Sequence, residues 1–228
     1  MPHRLFPCRK VAPAIALAAA LVCTGAAHAA LVTVTFDGHL TSVPSQVASA
    51  FTAGETFTFH YTYLTTQSNA GSASNAIYYY QGSHLDIGGG SFTLDAPAGG
   101  SFANAVSIEN LASFDAYIVD ATDGLAYSPS GLISPYTLVQ VFTQFSYAPT
   151  EFSGPALLPG APPYTSANGF RLALRPNPAS LDGQIFVEGS IDTATDDLPP
   201  ASTPEPSTLA LLLPALALVG RLRRSRDR

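Results

Sequence analysis

The chain has 228 residues, 46% of them hydrophobic, with 16 acidic against 10 basic residues and a formal charge of −6. The charge is uneven: residues 30–203 carry fourteen Asp and Glu against two basic residues, Arg171 and Arg175, a net of −12. A body this acidic cannot neutralise phosphates, which excludes nucleic-acid binding, and anionic lipid surfaces repel it.

At the N-terminus Arg4, Arg9 and Lys10 precede an apolar run from Val11 to Val22, and Ala27-His28-Ala29 leads into Ala30. A basic head, an apolar run too short to span a bilayer and small residues at −3 and −1 predict a secretory signal peptide over 1–29, cut by signal peptidase between Ala29 and Ala30. A lipoprotein signal would acylate Cys23, but Val22 before it is bulkier than such a signal normally tolerates. Cleavage removes Cys8, Cys23 and Lys10, the chain's only cysteines and its only lysine. The expected mature chain therefore has no thiol nucleophile, thiolate metal site, disulfide, Schiff-base lysine or lysine-based isopeptide crosslink. Neither G-x-S-x-G nor H-E-x-x-H occurs.

From there the pattern alternates with period two. In Glu55–Leu64 the residues Phe57, Phe59, Tyr61 and Tyr63 share one face, opposite Thr56, Thr58, His60 and Thr62, as in a half-buried strand. Similar stretches lie at 32–36, 77–87, 92–94, 105–109, 116–121, 136–147, 170–174 and 184–192, nine candidates separated by Gly, Pro, Asn and Ser. The expected fold is all-β, a two-sheet antiparallel β-sandwich over residues 30–195, with a jelly roll as one form of it. Loops at 41–53, 65–75, 122–134 and 148–168 are long for a compact domain, so any ligand site is sought there first, against the alternative of plain surface excursions.

Few residues in the body suggest chemistry. His39, His60 and His84 show no short ligand spacing to one another and read as isolated surface histidines, so no metal site is expected from them. Asp120 and Asp123 before Gly124 could give oxygen ligands to calcium, but the fuller acidic ligand series is missing and Asp-Gly is first a turn signal. Asp86, Asp95, Glu109, Asp115, Glu151 and Glu188 are the carboxylates from which a glycosidase would draw a pair. In the run Tyr78-Tyr79-Tyr80 alternation must expose at least one ring, which makes Tyr78 and Tyr80 candidates for stacking on a sugar. No catalytic residues are assigned.

The chain closes with a polar, proline-rich spacer at 196–203, then Pro204-Glu205-Pro206, an apolar run from Ser207 to Gly220, and Arg221, Arg223, Arg224, Arg226 and Arg228. As a helix the fourteen apolar-run residues would be roughly 21 Å long, short of a hydrocarbon core of about 30 Å, with arginine stems able to snorkel across part of the gap. The arginines would hold that end on the cytoplasmic side. Prolines keep the segment before the helix extended, as a protease needs.

This tail resembles the PEP-CTERM sorting signal, and the strand-rich body is similar to domains that precede such signals. The resemblance implies export by a Gram-negative bacterium, transient anchoring in the inner membrane through the C-terminal apolar helix, and processing at residues 204–206 by an exosortase-type membrane protease. It also implies delivery to the cell surface or exterior, often where exopolysaccharide is made. The expectation is a non-enzymatic protein of the extracellular, biofilm-like matrix without a cofactor. A lectin-like carbohydrate-binding module and a polysaccharide-active hydrolase are the alternatives.

Overall fold

The computed structural model describes residues 29–198, apart from 73, 99–103, 153, 155 and 157–159. Its strands are β1 (Leu31–Ser42), β2 (Thr56–Leu64), β3 (Asn75–Tyr79), β4 (Gly82–Ile87), β5 (Phe92–Ala96), β6 (Asn104–Asn110), β7 (Asp115–Ala121), β8 (Ala126–Ser128), β9 (Thr137–Tyr147), β10 (Asn168–Arg175) and β11 (Ile185–Asp196). Among the described residues the one helical element is a 3-10 turn at Ser45–Val47. No helix there is long and apolar enough to cross a membrane. The signal peptide, Pro204-Glu205-Pro206, the apolar run and the arginine cluster lie outside the described residues.

The all-β, antiparallel expectation holds, but the two separate sheets become one. All eleven strands lie in a single sheet ordered β3-β6-β7-β9-β10-β11-β1-β2-β4-β5-β8. The sheet curls into a half-barrel whose two halves face each other across the core. Alternation identifies the inward face of each strand, but not that β1 pairs with both β2 and β11 and so joins the halves. Both joining strands are 12 residues long, and their ladder is irregular between Asp37 and Gly38 and between Leu40 and Ser42. Such bulges bend a strand and increase its twist.

The bend is filled by two rings. Phe57 on β2 and Phe170 on β10 stack with centroids 4.0 Å apart, although β1 and β11 lie between them in the sheet. They meet because their neighbours across the ladders are Gly38 and Gly189. A Cβ on Gly38 would lie 2.2 Å from the Ser190 carbonyl oxygen and 2.5 Å from the Phe57 ring; one on Gly189 would lie 2.9 Å from Phe57 and 3.1 Å from Phe170. Two missing side chains thus make the hollow that aromatic rings refill.

Further contacts tie the halves together. Phe36 on β1 packs on Phe145 of β9 at 5.1 Å. Tyr61 on β2 and Tyr117 on β7 are fully buried and share a hydrogen bond between their hydroxyls. Burial drives both phenol pKa values far up, so the pair stays neutral, and each hydroxyl avoids the cost of being buried without a partner. Phe57, Phe59, Tyr61 and Tyr63 all face inward, as do Phe170, Leu172 and Leu174.

Sequence periodicity missed two features of the strand layout. The stretch 77–87 is two strands, broken where Tyr80 and Gln81 carry the chain from the β3 edge to β4 in the other half. There the Tyr80 hydroxyl donates to the Asp120 carbonyl at 3.0 Å and the Gln81 amide donates to the Thr62 carbonyl at 2.6 Å. β8 has only three residues, too few for a period, yet it covers the outer edge of β5. Asn104 pins the seam between the edges: its amide donates to the carbonyls of Pro97 (3.2 Å) and Asp123 (3.0 Å), and its oxygen accepts from the Thr122 (3.1 Å) and Asp123 (3.2 Å) amides.

Three of the long connections place residues on the core, whereas the described residues of 65–75 include none that is buried. Val47, Phe51, Ile133 and Phe152 are buried, Phe51 against Phe92 at 5.2 Å and Phe152 against Tyr147 at 4.9 Å. The expected spacer also starts later than residue 196. β11 runs through Asp196, the Asp197 carboxylate accepts from the Thr33 amide at 2.8 Å, and Leu198 packs on the core.

Two alanine substitutions in strands test this account of the bend. Gly38→Ala is expected to destabilise the fold by about 1–3 kcal/mol, since its methyl meets a backbone oxygen that cannot step aside. Gly169→Ala, whose Cβ would meet nothing within 4 Å, is expected to be neutral or stabilising by a few tenths of a kcal/mol. Urea denaturation of both variants provides the comparison; equal losses would refute the packing explanation.

Candidate functional site

The inner face is filled by core side chains, so the exposed polar groups of the sheet lie on its outer face. On the half formed by β9, β10 and β11, the register sets Asp120, Phe142, Arg171 and Glu188 side by side across four strands. In the next row Ile118, Gln144 and Gly169 are neighbours. Gly169 leaves a gap there, and an open groove of 360 Å³ forms over it, lined by Phe142, Gln144, Asn168, Arg171 and Glu188 among others.

The groove's polar groups are held flat. Arg171 donates to Glu188 at 3.1 Å and its guanidinium lies 4.8 Å from the Phe186 ring centre. Both members of the ion pair are nearly half exposed, so the pair adds little to stability and its atoms stay accessible. In the same row, outside the groove's lining, Asp120 is half-buried, and its two carboxylate oxygens accept from the Gln140 amide at 3.1 and 3.0 Å. Burial pushes its pKa up to about 6, with the Gln140 hydrogen bonds pulling the other way. The groove thus combines an aromatic face, a planar cation, a carboxylate and an amide, the groups with which proteins hold polar, ring-shaped ligands.

A second outer-face feature lies on the other half. His60 on β2 and His84 on β4 are register partners, and His84 in turn faces Asp95 on β5. The imidazole centroids are 5.2 Å apart, and His84 Nδ1 is 2.7 Å from Asp95 Oδ1. Beside them Gly82, opposite Thr62, leaves a shallow recess of 300 Å³. His39 sits elsewhere on the sheet, with Nδ1 2.9 Å from Asp192. The three histidines are therefore not all isolated: spacing of 24 residues concealed a pair that only the β2–β4 register brings together.

The remaining sequence candidates fall as follows. Tyr78 and Tyr80 are 6% and 0% exposed, so they are corrected from sugar platforms to core residues; inward alternation leaves Tyr79 as the half-exposed ring. Asp120 and Asp123 flank the turn pinned by Asn104, and the Asp120 carboxylate is already engaged with Gln140. Among the described residues no group of three or more His, Cys, Asp and Glu is placed to hold a metal ion. Of the carboxylate set, Asp86 accepts from the Gly90 amide, Asp95 contacts His84, Glu109 accepts from Asn75, Asp115 accepts from the Phe152 amide, and Glu188 accepts from Arg171. Ala29 and Ala30 lead directly into β1, and the Ala30 carbonyl accepts from the Thr65 amide.

No protein-family model matches the chain, and neither the curated proteins nor the solved structures searched contain a match.

Asp120 makes a checkable pH signature. Its folded pKa lies above its ordinary value of 3.8, so the stability it contributes is full below about pH 4 and is lost as pH rises through 6. Subtracting the Asp120→Asn curve from that of the wild type should leave a decline on the order of 1 kcal/mol across this window, reduced from the full shift by partial exposure. A flat difference in denaturation free energy from pH 4 to 7 would contradict the burial of this carboxylate.

Proposed function

We propose that the chain is an exported, surface-sorted, non-enzymatic protein of the extracellular polysaccharide matrix, processed through Pro204-Glu205-Pro206. The observation that carries this reading is the order of parts in the sequence. A signal-peptide pattern comes first, then an acidic β body without cysteine or lysine, a proline-rich spacer, the Pro-Glu-Pro motif, an apolar run and a terminal arginine cluster. The fold is compatible with trimming at both ends. β1 begins at Leu31, just after the proposed cut, and β11 ends at Asp196, eight residues before Pro204 of the proposed motif. Intact mass of the protein purified from the surface and medium of its host tests the proposal. Loss of the segment beyond Pro206 only when the exosortase gene is present is the expected result; a mass running to Arg228 with and without that gene would overturn it.

The groove over Gly169 favours carbohydrate binding as the task of the body. Phe142 offers a ring face, while Arg171, Glu188 and Gln144 offer donors and acceptors at groove level, a combination suited to sugar hydroxyls. A hydrolase finds less support here. Asp120 and Glu188, the carboxylates of this row, are three strand spacings of about 4.8 Å apart, beyond the roughly 5–9.5 Å at which paired glycosidase carboxylates act. Gly169→Val fills the groove from a strand position with open space around it. Saturable binding on a glycan array, reduced about tenfold or more in this variant at unchanged melting temperature, is expected. Binding that survives the substitution would place the ligand elsewhere.

A further inference from the structure

We propose that His60 and His84 form a surface site for a late first-row divalent metal ion such as Zn²⁺ or Cu²⁺, with Asp95 orienting His84 and water completing the coordination. The inference rests on geometry and is independent of how the chain is sorted. An ion bound by one nitrogen from each imidazole lies about 2.0 Å from that nitrogen and so about 3.2 Å from each ring centre. At the tetrahedral angle the centres are then about 5 Å apart. The observed separation is 5.2 Å, so the rings are already spaced as a bound ion requires.

Three further observations support the same site. His84 Nδ1 is held by Asp95 at 2.7 Å, which makes Nε2 its free ligating nitrogen, the arrangement by which a carboxylate fixes the tautomer of a metal-binding histidine. His60 has no hydrogen-bonding partner among the described residues, so neither ring nitrogen is committed. The recess beside the pair, opened by Gly82, gives the ion and its waters room. Two imidazoles suit Zn²⁺, Cu²⁺ and Ni²⁺ and offer nothing to Ca²⁺ or Mg²⁺, which prefer oxygen.

The test is calorimetric titration of the untagged full-length chain with ZnCl₂, read as the difference between wild type and variants because His3, His28, Cys8 and Cys23 add background. His60→Ala and His84→Ala are each expected to abolish one equivalent of binding. Asp95→Asn, which retains both imidazoles, should weaken it about 10–100-fold. His39→Ala, a histidine with its own carboxylate partner elsewhere on the sheet, should leave it unchanged. In imidazole ¹⁵N spectra the His60 and His84 signals should shift together, and Cu²⁺ should bind more tightly than Zn²⁺. Titrations of wild type and His60→Ala that superimpose, or an equal loss in His39→Ala, would overturn the proposal.

Discussion

The fold depends on the hollow at Gly38 and Gly189. Without it the long strands β1 and β11 would run between the halves with side chains on their inner face, and Phe57 and Phe170 could not meet. The stack brings β2 to β10 across two intervening strands, and the same curvature brings Tyr61 to Tyr117 and Phe36 to Phe145. A disulfide-free domain of this size relies on apolar burial and ladder hydrogen bonds. Here the curl encloses that core with one sheet. The capping loops close what the curl leaves open, by inserting Val47, Phe51, Ile133 and Phe152.

How much of this was legible depends on the range of the interaction. The inward faces of β2 and β10 could be read directly, since alternation is a local signal and Phe57 through Tyr63 follow it without interruption. The joining of the halves could not, because it is set by a pairing between Val34 and Asp196, residues at opposite ends of the body. Tyr80 illustrates the same limit: within its run it looks like the continuation of a strand, and only the crossing to β4 explains its burial. Gly38 lies beyond the 32–36 stretch that alternation marks, and its function is defined by a ring contributed from another strand. The loops looked free because proline and glycine mark chain reversal but carry no information about what the apolar residues between them cover.

The same distinction governs the sites. Both outer-face features arise from register combined with a glycine: Gly169 opens the groove beside Phe142 and Arg171, and Gly82 opens the recess beside His60 and His84. A residue-by-residue survey sees two arginines, scattered histidines and many carboxylates. Cross-strand neighbours convert these into an aromatic and ionic row on one half and a pair of imidazoles with a carboxylate on the other. Spacing along the chain was uninformative because antiparallel pairing can join any two positions whose strands are adjacent.

The pairing of the first strand with the last has a mechanical meaning. Thr33 and Asp197 are hydrogen-bonded to each other in both directions, so both ends of the body emerge at the same pole. A pull that separates those ends loads the β1–β11 ladder one bond at a time, from the Val34–Asp196 end inward, and opens it like a zip. A pull applied through the C-terminal end against a ligand held in the β9–β11 groove instead runs along neighbouring strands and loads many bonds together in shear. The strand geometry therefore makes the body softer to tension between its own ends than to tension between its C-terminal end and any ligand bound in that groove.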